Sequence, residues 1–172
     1  MGKKVIDDFK ITVLYDNESF ADKTRADWGF SCLVESDEGR LLFDTGAKGE
    51  ILESNMSALG ENPAEIDAVI ISHDHWDHTG GLEFILSAAE KKLPLYLHSS
   101  FSKELQKTAE DSGADLRIFD SPEEIMPGFI TTGRMKCDRA DEQGLIIRSA
   151  RGPLLITGCA HPGILDMVKR AR

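Results

Sequence analysis

A chain of 172 residues that is 41% hydrophobic and 29% charged has the balance of an ordinary globular domain, long enough to bury a real core. Its net charge of −10 argues against a surface that tracks nucleic-acid phosphates, and its one basic cluster, Lys169-Arg170-Ala171-Arg172, reads as a solvated helix end. The opening residues MGKKVIDDFKITVLYD contain no apolar signal core, no run approaches a membrane span, and three widely spaced cysteines suit a reducing cytoplasm, so neither secretion nor a membrane partner is expected.

Residues 9–15 (FKITVLY) are rich in β-branched and aromatic side chains and predict a strand, followed by a polar loop to about Asp27. Residues 29–35 predict a second strand. Ser36-Asp37-Glu38-Gly39 turns it into a third, residues 40–43, as a hairpin with glycine at the left-handed position. That strand ends in Asp44-Thr45-Gly46, where the carboxylate is either a helix cap or a site residue. Residues 50–59 carry Ile51, Leu52, Met56 and Leu59 at helical spacing and stop at Gly60; Asn62-Pro63 starts a short helical turn. Residues 68–71 (AVII) form a continuous apolar run, the pattern of a strand buried on both faces.

That run delivers Ser72-His73-Asp74-His75-Trp76-Asp77-His78-Thr79-Gly80-Gly81, with three of the chain's five histidines. Imidazole and carboxylate together are the ligand set of zinc, iron and manganese. In an extended segment residues i and i+2 point the same way, so His73 and His75 can grip one ion from one side. Asp77 and His78 follow as Thr79-Gly80-Gly81 turns the chain, and can face the same spot from another direction. A polar turn with capping aspartates is the bland alternative, but no cap needs three imidazoles.

Beyond the cluster, residues 82–91 predict a helix and 93–97 a strand ending at His98, which reads as structural or substrate-facing. An amphipathic helix over 101–112 closes at Gly113. Residues 115–119 and 128–135 predict strands, and Ser121-Pro122-Glu123-Glu124 between them looks like a helix start. Asp138, Asp141 and Glu142 read as a solvated approach to a hairpin, Asp141 being the one that can reach the site. Residues 144–149 and 153–157 flank Ala150-Arg151-Gly152 as that hairpin. The second of its strands runs into Gly158-Cys159-Ala160-His161-Pro162-Gly163, and residues 164–172 begin a helix. So twice an apolar strand ends in a histidine-bearing turn before a helix.

The string His73-x-His75-x-Asp77-His78 after an apolar strand, with LFDTG at 42–46 upstream, resembles the metallo-β-lactamase superfamily. Gly29-Phe30-Ser31, SHDHWDHTGGL at 72–82, Asp141-Glu142-Gln143 and TGCAHPGI at 157–164 resemble its metal-dependent hydrolases, a branch that includes dihydropterin–ribofuranosylaminobenzene 5′-phosphate synthases. The likeness runs from about Ile11 to Val168. It implies an α/β fold, an αββα sandwich with the metal centre at one edge between two sheets, and one domain over residues 1–172. It also implies a last histidine ligand from a C-terminal strand. Arg172 follows His161 with no further histidine, so the closing strands and that ligand are expected to be missing from this chain, leaving the sandwich incomplete and prone to self-association.

His73, His75 and His161 would then form a three-nitrogen site with a fourth position open, as in catalytic zinc, with Mn²⁺ or Fe²⁺ as alternatives. Asp77 and His78 would hold a second, weaker ion. A bound ion brings its water's pKa down to about 7 and supplies hydroxide, with Asp77 as the catalytic residue that orients that water. Asp44 would hold the other nitrogen of a ligand histidine. Cys159 is either a soft ligand or a small buried residue, burial being favoured, and Trp76 is expected to pack as a lid on the loop. The expected activity is metal-dependent hydrolysis of a small ester or phosphoester. Synthase-like transfer chemistry and a catalytically inactive metal-binding module are the alternatives.

Overall fold

The computed structural model describes residues 4–19 and 21–172. Residues 1–3, part of the opening segment read for a signal core, and Phe20 in the loop after the first strand lie outside the described residues.

Six strands make the larger sheet in sequence order: β1 (Phe9–Tyr15), β2 (Ser31–Ser36), β3 (Gly39–Phe43), β4 (Ala68–Ile70), β5 (Pro94–Leu97) and β6 (Asp115–Ile118). The pairs β1–β2, joined by a long loop, and β2–β3, a hairpin, are antiparallel, and from β3 to β6 the pairing is parallel. Parallel neighbours need crossovers, and helices supply them: α1 (Gly49–Leu59) between β3 and β4, α2 (Trp76–Thr79) and α3 (Leu82–Ala88) between β4 and β5, and α4 (Lys103–Asp111) between β5 and β6. The helix ends follow local chemistry. Gly60 closes α1 in the left-handed conformation at φ 75°, and the Ser102 hydroxyl accepts from the Leu105 N–H to cap α4.

The second sheet is antiparallel, in the order β10 (Gly152–Ile156), β9 (Leu145–Ser149), β8 (Phe129–Thr131) and β7 (Glu123–Met126). Strand β7 overturns the expected helix start at Ser121-Pro122-Glu123-Glu124. Proline and acidic residues are a local helix-start signal, but Pro127-Gly128 returns the chain so that Glu123–Met126 pairs with β8 and drives Ile125 into the core. Pairing and burial outweigh the local preference. The strand predicted over 128–135 is shorter, because the chain leaves the sheet at Gly133 and touches it again only as a Met135–Glu142 bridge.

Side chains alternate along the central strands and sort into two cores. Leu42 and Val69 face α1, α3 and α4 and pack with Leu52, Met56 and Ile85. Leu41, Phe43, Ala68 and Ile70 face the other sheet and meet Phe129, Leu145 and Ile147. Ile6 closes that inter-sheet core by bridging to Ser149. The last helix, α5 (Ile164–Ala171), packs against β10 through buried Met167, outside the inter-sheet core. The layers are therefore helix, sheet, sheet, helix, the last represented by α5. Ile164, Leu165 and Val168 on α5 are exposed.

Candidate metal centre

The buried strand β4 runs into Ser72 and His73, both fully buried. At the end of neighbouring β3, Asp44 adopts a positive φ of 57° and turns its carboxylate under the same segment. It accepts from the Ser72 N–H at 2.6 Å, from the Ser72 hydroxyl at 2.7 Å and from His78 Nδ1 at 2.6 Å. Because the Ser72 hydroxyl donates to Asp44, it accepts from His73 Nδ1–H, 2.9 Å away. Both histidines are thereby set in the tautomer whose Nε2 lone pair is free, the form a ligand needs. Thr45 completes the cradle, donating to the His78 carbonyl from its N–H at 2.8 Å and its hydroxyl at 2.9 Å.

Short α2 carries Asp77 and His78 back over this floor, with His75 as the residue before its first turn. Gly80 must be glycine here, since a Cβ would lie 2.0 Å from the Ala47 carbonyl oxygen.

The second histidine turn leaves β10 at Thr157. A Cβ on Gly158 would stand 2.4 Å from the Ser72 hydroxyl, so the two turns are in contact and only glycine permits it. Ala160 sits at φ 54°, and the buried Glu142 carboxylate accepts from the N–H groups of Ala160 at 3.0 Å and His161 at 2.8 Å. Gln143, in the segment that leads into β9, ties that segment to the floor, its N–H donating to the Ser72 carbonyl at 2.8 Å and its amide to the Ile71 carbonyl at 2.8 Å.

These two turns bring His73, His75 and His161 together. Ring centroids are 4.5 Å apart for His73–His75, 4.8 Å for His73–His161 and 5.0 Å for His75–His161. His73 Nε2 lies 3.0 Å from His75 Nδ1, and His161 Nε2 is buried with no hydrogen-bond partner. Two nitrogens on one tetrahedral zinc stand about 3.3 Å apart, given bonds of about 2.0–2.1 Å. The donor set, the spacing and the orphaned nitrogen all fit a divalent ion. Beside it, Cys159 Sγ lies 3.4 Å and Asp77 Oδ2 3.5 Å from His78 Nε2. Among the described residues, His73, His78 and Cys159 form a second group able to hold an ion.

The titration behaviour follows this packing. Burial, reinforced by the neighbouring imidazoles, pushes His73 down to about 2, and burial lowers His161 as well. For His78 burial opposes protonation, but the hydrogen bond and charge of Asp44 outweigh it and hold its pKa above the usual histidine range. Burial raises Glu142, and burial with the Asp77 and Glu142 charges raises Cys159.

Several expectations need correction. Trp76 is 64% exposed and projects to solvent, because helix α2 turns its first residue away from the floor. Cys159 is an exposed residue, since its turn sits on the rim of the sandwich. Glu142 is fully buried, so the reading of Asp138, Asp141 and Glu142 as a solvated approach holds only for exposed Asp138. Asp141 pairs with Arg134 and accepts from the Cys137 N–H at 2.9 Å, outside both ligand groups. His98 is buried against Phe101, bonded to the Ser100 hydroxyl and outside those groups too. Glu142 is the residue that sequence reasoning missed, although it lies in one of the family-like triplets, Asp141-Glu142-Gln143.

A cleft of about 290 Å³ opens beside the second group, lined by Asp16, Asn17, Trp28, Asp77, His78 and Cys159 among others. A larger cavity of about 740 Å³ lies between the ends of α3 and α4, and no histidine lines it.

A sequence profile of the Metallo-beta-lactamase superfamily matches residues 29–167, which spans both turns and every strand but β1, and the chain belongs to that superfamily. Within it the chain is similar to the 7,8-dihydropterin-6-methyl-4-(beta-D-ribofuranosyl)-aminobenzene-5′-phosphate synthase of Methanocaldococcus jannaschii, with 29% identity over 96% of this chain and 72% of that protein. Among solved structures it is similar to a metal-dependent hydrolase of the beta-lactamase superfamily, with TM-score 0.70 and 25% identity over 94% of this chain and 72% of the other. It shares the fold of a quorum-quenching N-acyl homoserine lactone lactonase, with TM-score 0.62 and 17% identity over 90% of this chain and 74% of that one. No helix among the described residues is long and apolar enough to cross a membrane.

Proposed function

We propose that this chain is a metal-dependent hydrolase of small ester or phosphoester substrates, with zinc as the preferred ion and Mn²⁺ or Fe²⁺ as alternatives. The observation that carries the reading is the convergence of His73, His75 and His161, with His161 Nε2 buried and unpartnered. These three residues would hold the first ion, which when bound supplies Lewis acidity and an acidified water.

The chain's own groups supply the rest. Ser72 and Asp44 take the Nδ1 protons of His73 and His78, which keeps each Nε2 lone pair aimed into the site. Asp77 is set at the cleft beside His78, where its carboxylate can orient a water and take its proton. Trp28, 61% exposed on the cleft wall, offers an aromatic face to a bound substrate. One domain over residues 1–172, in the cytoplasm, belongs to the same proposal. So does self-association, supported by the exposed Ile164, Leu165 and Val168 of α5.

Likeness to the Methanocaldococcus jannaschii synthase over 96% of this chain favours a second reading, synthase-like transfer chemistry on a pterin-type substrate. Generic ester and phosphodiester substrates, assayed with added Zn²⁺ or Mn²⁺, separate the two. The hydrolase reading expects turnover without any cosubstrate, abolished in His73→Ala. Turnover only when both synthase cosubstrates are supplied would replace it with the transferase. Activity unchanged in His73→Ala would remove the metal site from the chemistry altogether.

A further inference from the structure

The Trp28 side chain is exposed, yet the backbone that carries it is fixed. Four consecutive N–H groups around it are committed. Asp27 donates to the Asp16 carbonyl at 3.2 Å, Trp28 to the Asp27 carboxylate at 2.8 Å, Gly29 to the Asn17 side-chain oxygen at 3.0 Å and Phe30 to the Asp77 carbonyl at 3.3 Å. The last of these ties the segment to helix α2 of the metal centre. Asp27 is held in turn by Lys48 at 2.7 Å and by the Tyr15 hydroxyl at 3.2 Å. A large aromatic side chain held in water on a fixed backbone, at the wall of a cleft that reaches His78, is a surface prepared for a ligand. The bonds to residues 16 and 17 set Asp16 and Asn17 beside the Trp28 segment, on the same cleft. Through Oδ1 the Asp16 carboxylate accepts from the Asn17 N–H at 2.6 Å, and its Oδ2 has no partner among the described residues. No lysine or arginine lines the cleft, while two carboxylates, those of Asp16 and Asp77, do.

We infer that this cleft is the subsite for the non-reacting part of the substrate, and that it takes a flat aromatic group with an amidine-type edge of N–H donors, stacked on Trp28 and hydrogen-bonded to Asp16. This deepens the hydrolase reading and rests on it, because the cleft is a substrate subsite only if the reaction takes place at the metal centre beside it. The ligand chemistry follows from what lines the cleft. An indole face attracts a flat ring, and attracts it more strongly when the ring carries positive charge. A carboxylate with an open oxygen accepts adjacent N–H donors, and a charge-assisted bond there is about twice as strong as a neutral one. An anionic group meets two acids and no lysine or arginine, so negative groups of the substrate belong at the metal and not against Trp28.

The test is a fluorescence titration of the zinc-loaded full chain carrying Trp76→Phe, which leaves Trp28 as the single indole. Benzamidine is expected to quench Trp28 saturably and to bind about tenfold more tightly than benzamide, its neutral counterpart of the same shape, while benzenesulfonate does not saturate. Asp16→Asn keeps an acceptor for the Asn17 N–H and should abolish the preference for benzamidine. Glu18→Gln removes a charge two residues away and outside the cleft, and should keep it. With any ester the chain hydrolyses, benzamidine should raise KM and leave kcat unchanged. Equal binding of benzamide or benzenesulfonate, a preference that survives Asp16→Asn or is lost in Glu18→Gln, no saturable quenching, or ester turnover indifferent to saturating benzamidine each overturns the inference and leaves the hydrolase reading standing. Absence of any ester turnover beside the expected titration overturns the hydrolase reading instead, and with it the assignment of the bound group to a hydrolysed substrate.

Discussion

The turn that follows β4 rests on the core. Ser72 and His73 are fully buried, and the Asp44 carboxylate beneath them takes hydrogen bonds from a backbone amide, a hydroxyl and an imidazole. The turn that follows β10 hangs at the rim: Cys159 is exposed, His161 is partly so, and the two backbone N–H groups that define the turn end on one carboxylate, Glu142. One half of the site is thus inherited from the packing of the larger sheet. The other is set by a single buried acid in the segment that leads into the smaller sheet. The difference implies that stability and metal affinity are separable here, with the first turn governing both and the second governing affinity alone.

The largest expected effect breaks the first turn. Asp44→Ala strands three buried donors and puts alanine at a positive φ, and should cost about 3 kcal/mol of stability. Urea unfolding of the metal-free chain measures it, and a loss below about 1 kcal/mol would mean that this turn is not supported as described.

Acid should act next. His73, His161 and His98 all have pKa values lowered by burial, His73 to about 2. Below about pH 6.5 the unfolded chain takes up protons at these residues that the folded chain refuses, so stability falls as pH falls, by about 1.4 kcal/mol per pH unit for each such proton. His78 has the opposite sign. Its raised pKa contributes stability that is fully present below about pH 6.5 and is lost as the pH rises through its folded value, so it does not offset the acid loss. Urea midpoints of the metal-free chain that stay level from pH 6 to pH 4 would contradict this.

Glu142→Gln is the mildest change and the one that sharpens the contrast. The amide has one acceptor oxygen for two N–H groups, so the His161 turn loosens. Affinity for the first ion should drop about tenfold while the metal-free chain loses less than about 1 kcal/mol. Equal losses in stability and affinity would make the two turns alike.

Much of the larger sheet is legible in the sequence. Its strands alternate or run continuously apolar, its helices carry apolar residues at helical spacing with Gly60 and Gly113 at the ends, and the histidine string falls where β4 stops. The smaller sheet is less so. Glu123–Met126 carries a helix-start signal and becomes a strand only because β8 returns beside it. Trp76 faces solvent because a four-residue helix, and not an extended turn, sets its direction.

By itself the sequence determined that a metal-ligand cluster lies at the end of a buried strand, since residue type, spacing and apolar context are all local properties. Tertiary structure alone decided which groups share a point in space. It brought His161 across to His73 and His75, placed Asp44 under His78, and buried Glu142 behind the second turn. It also left Cys159 at the rim facing His78. Those partners lie as much as 88 residues apart in the chain, as with His73 and His161, and only two sheets packed face to face can set such contacts to within an ångström.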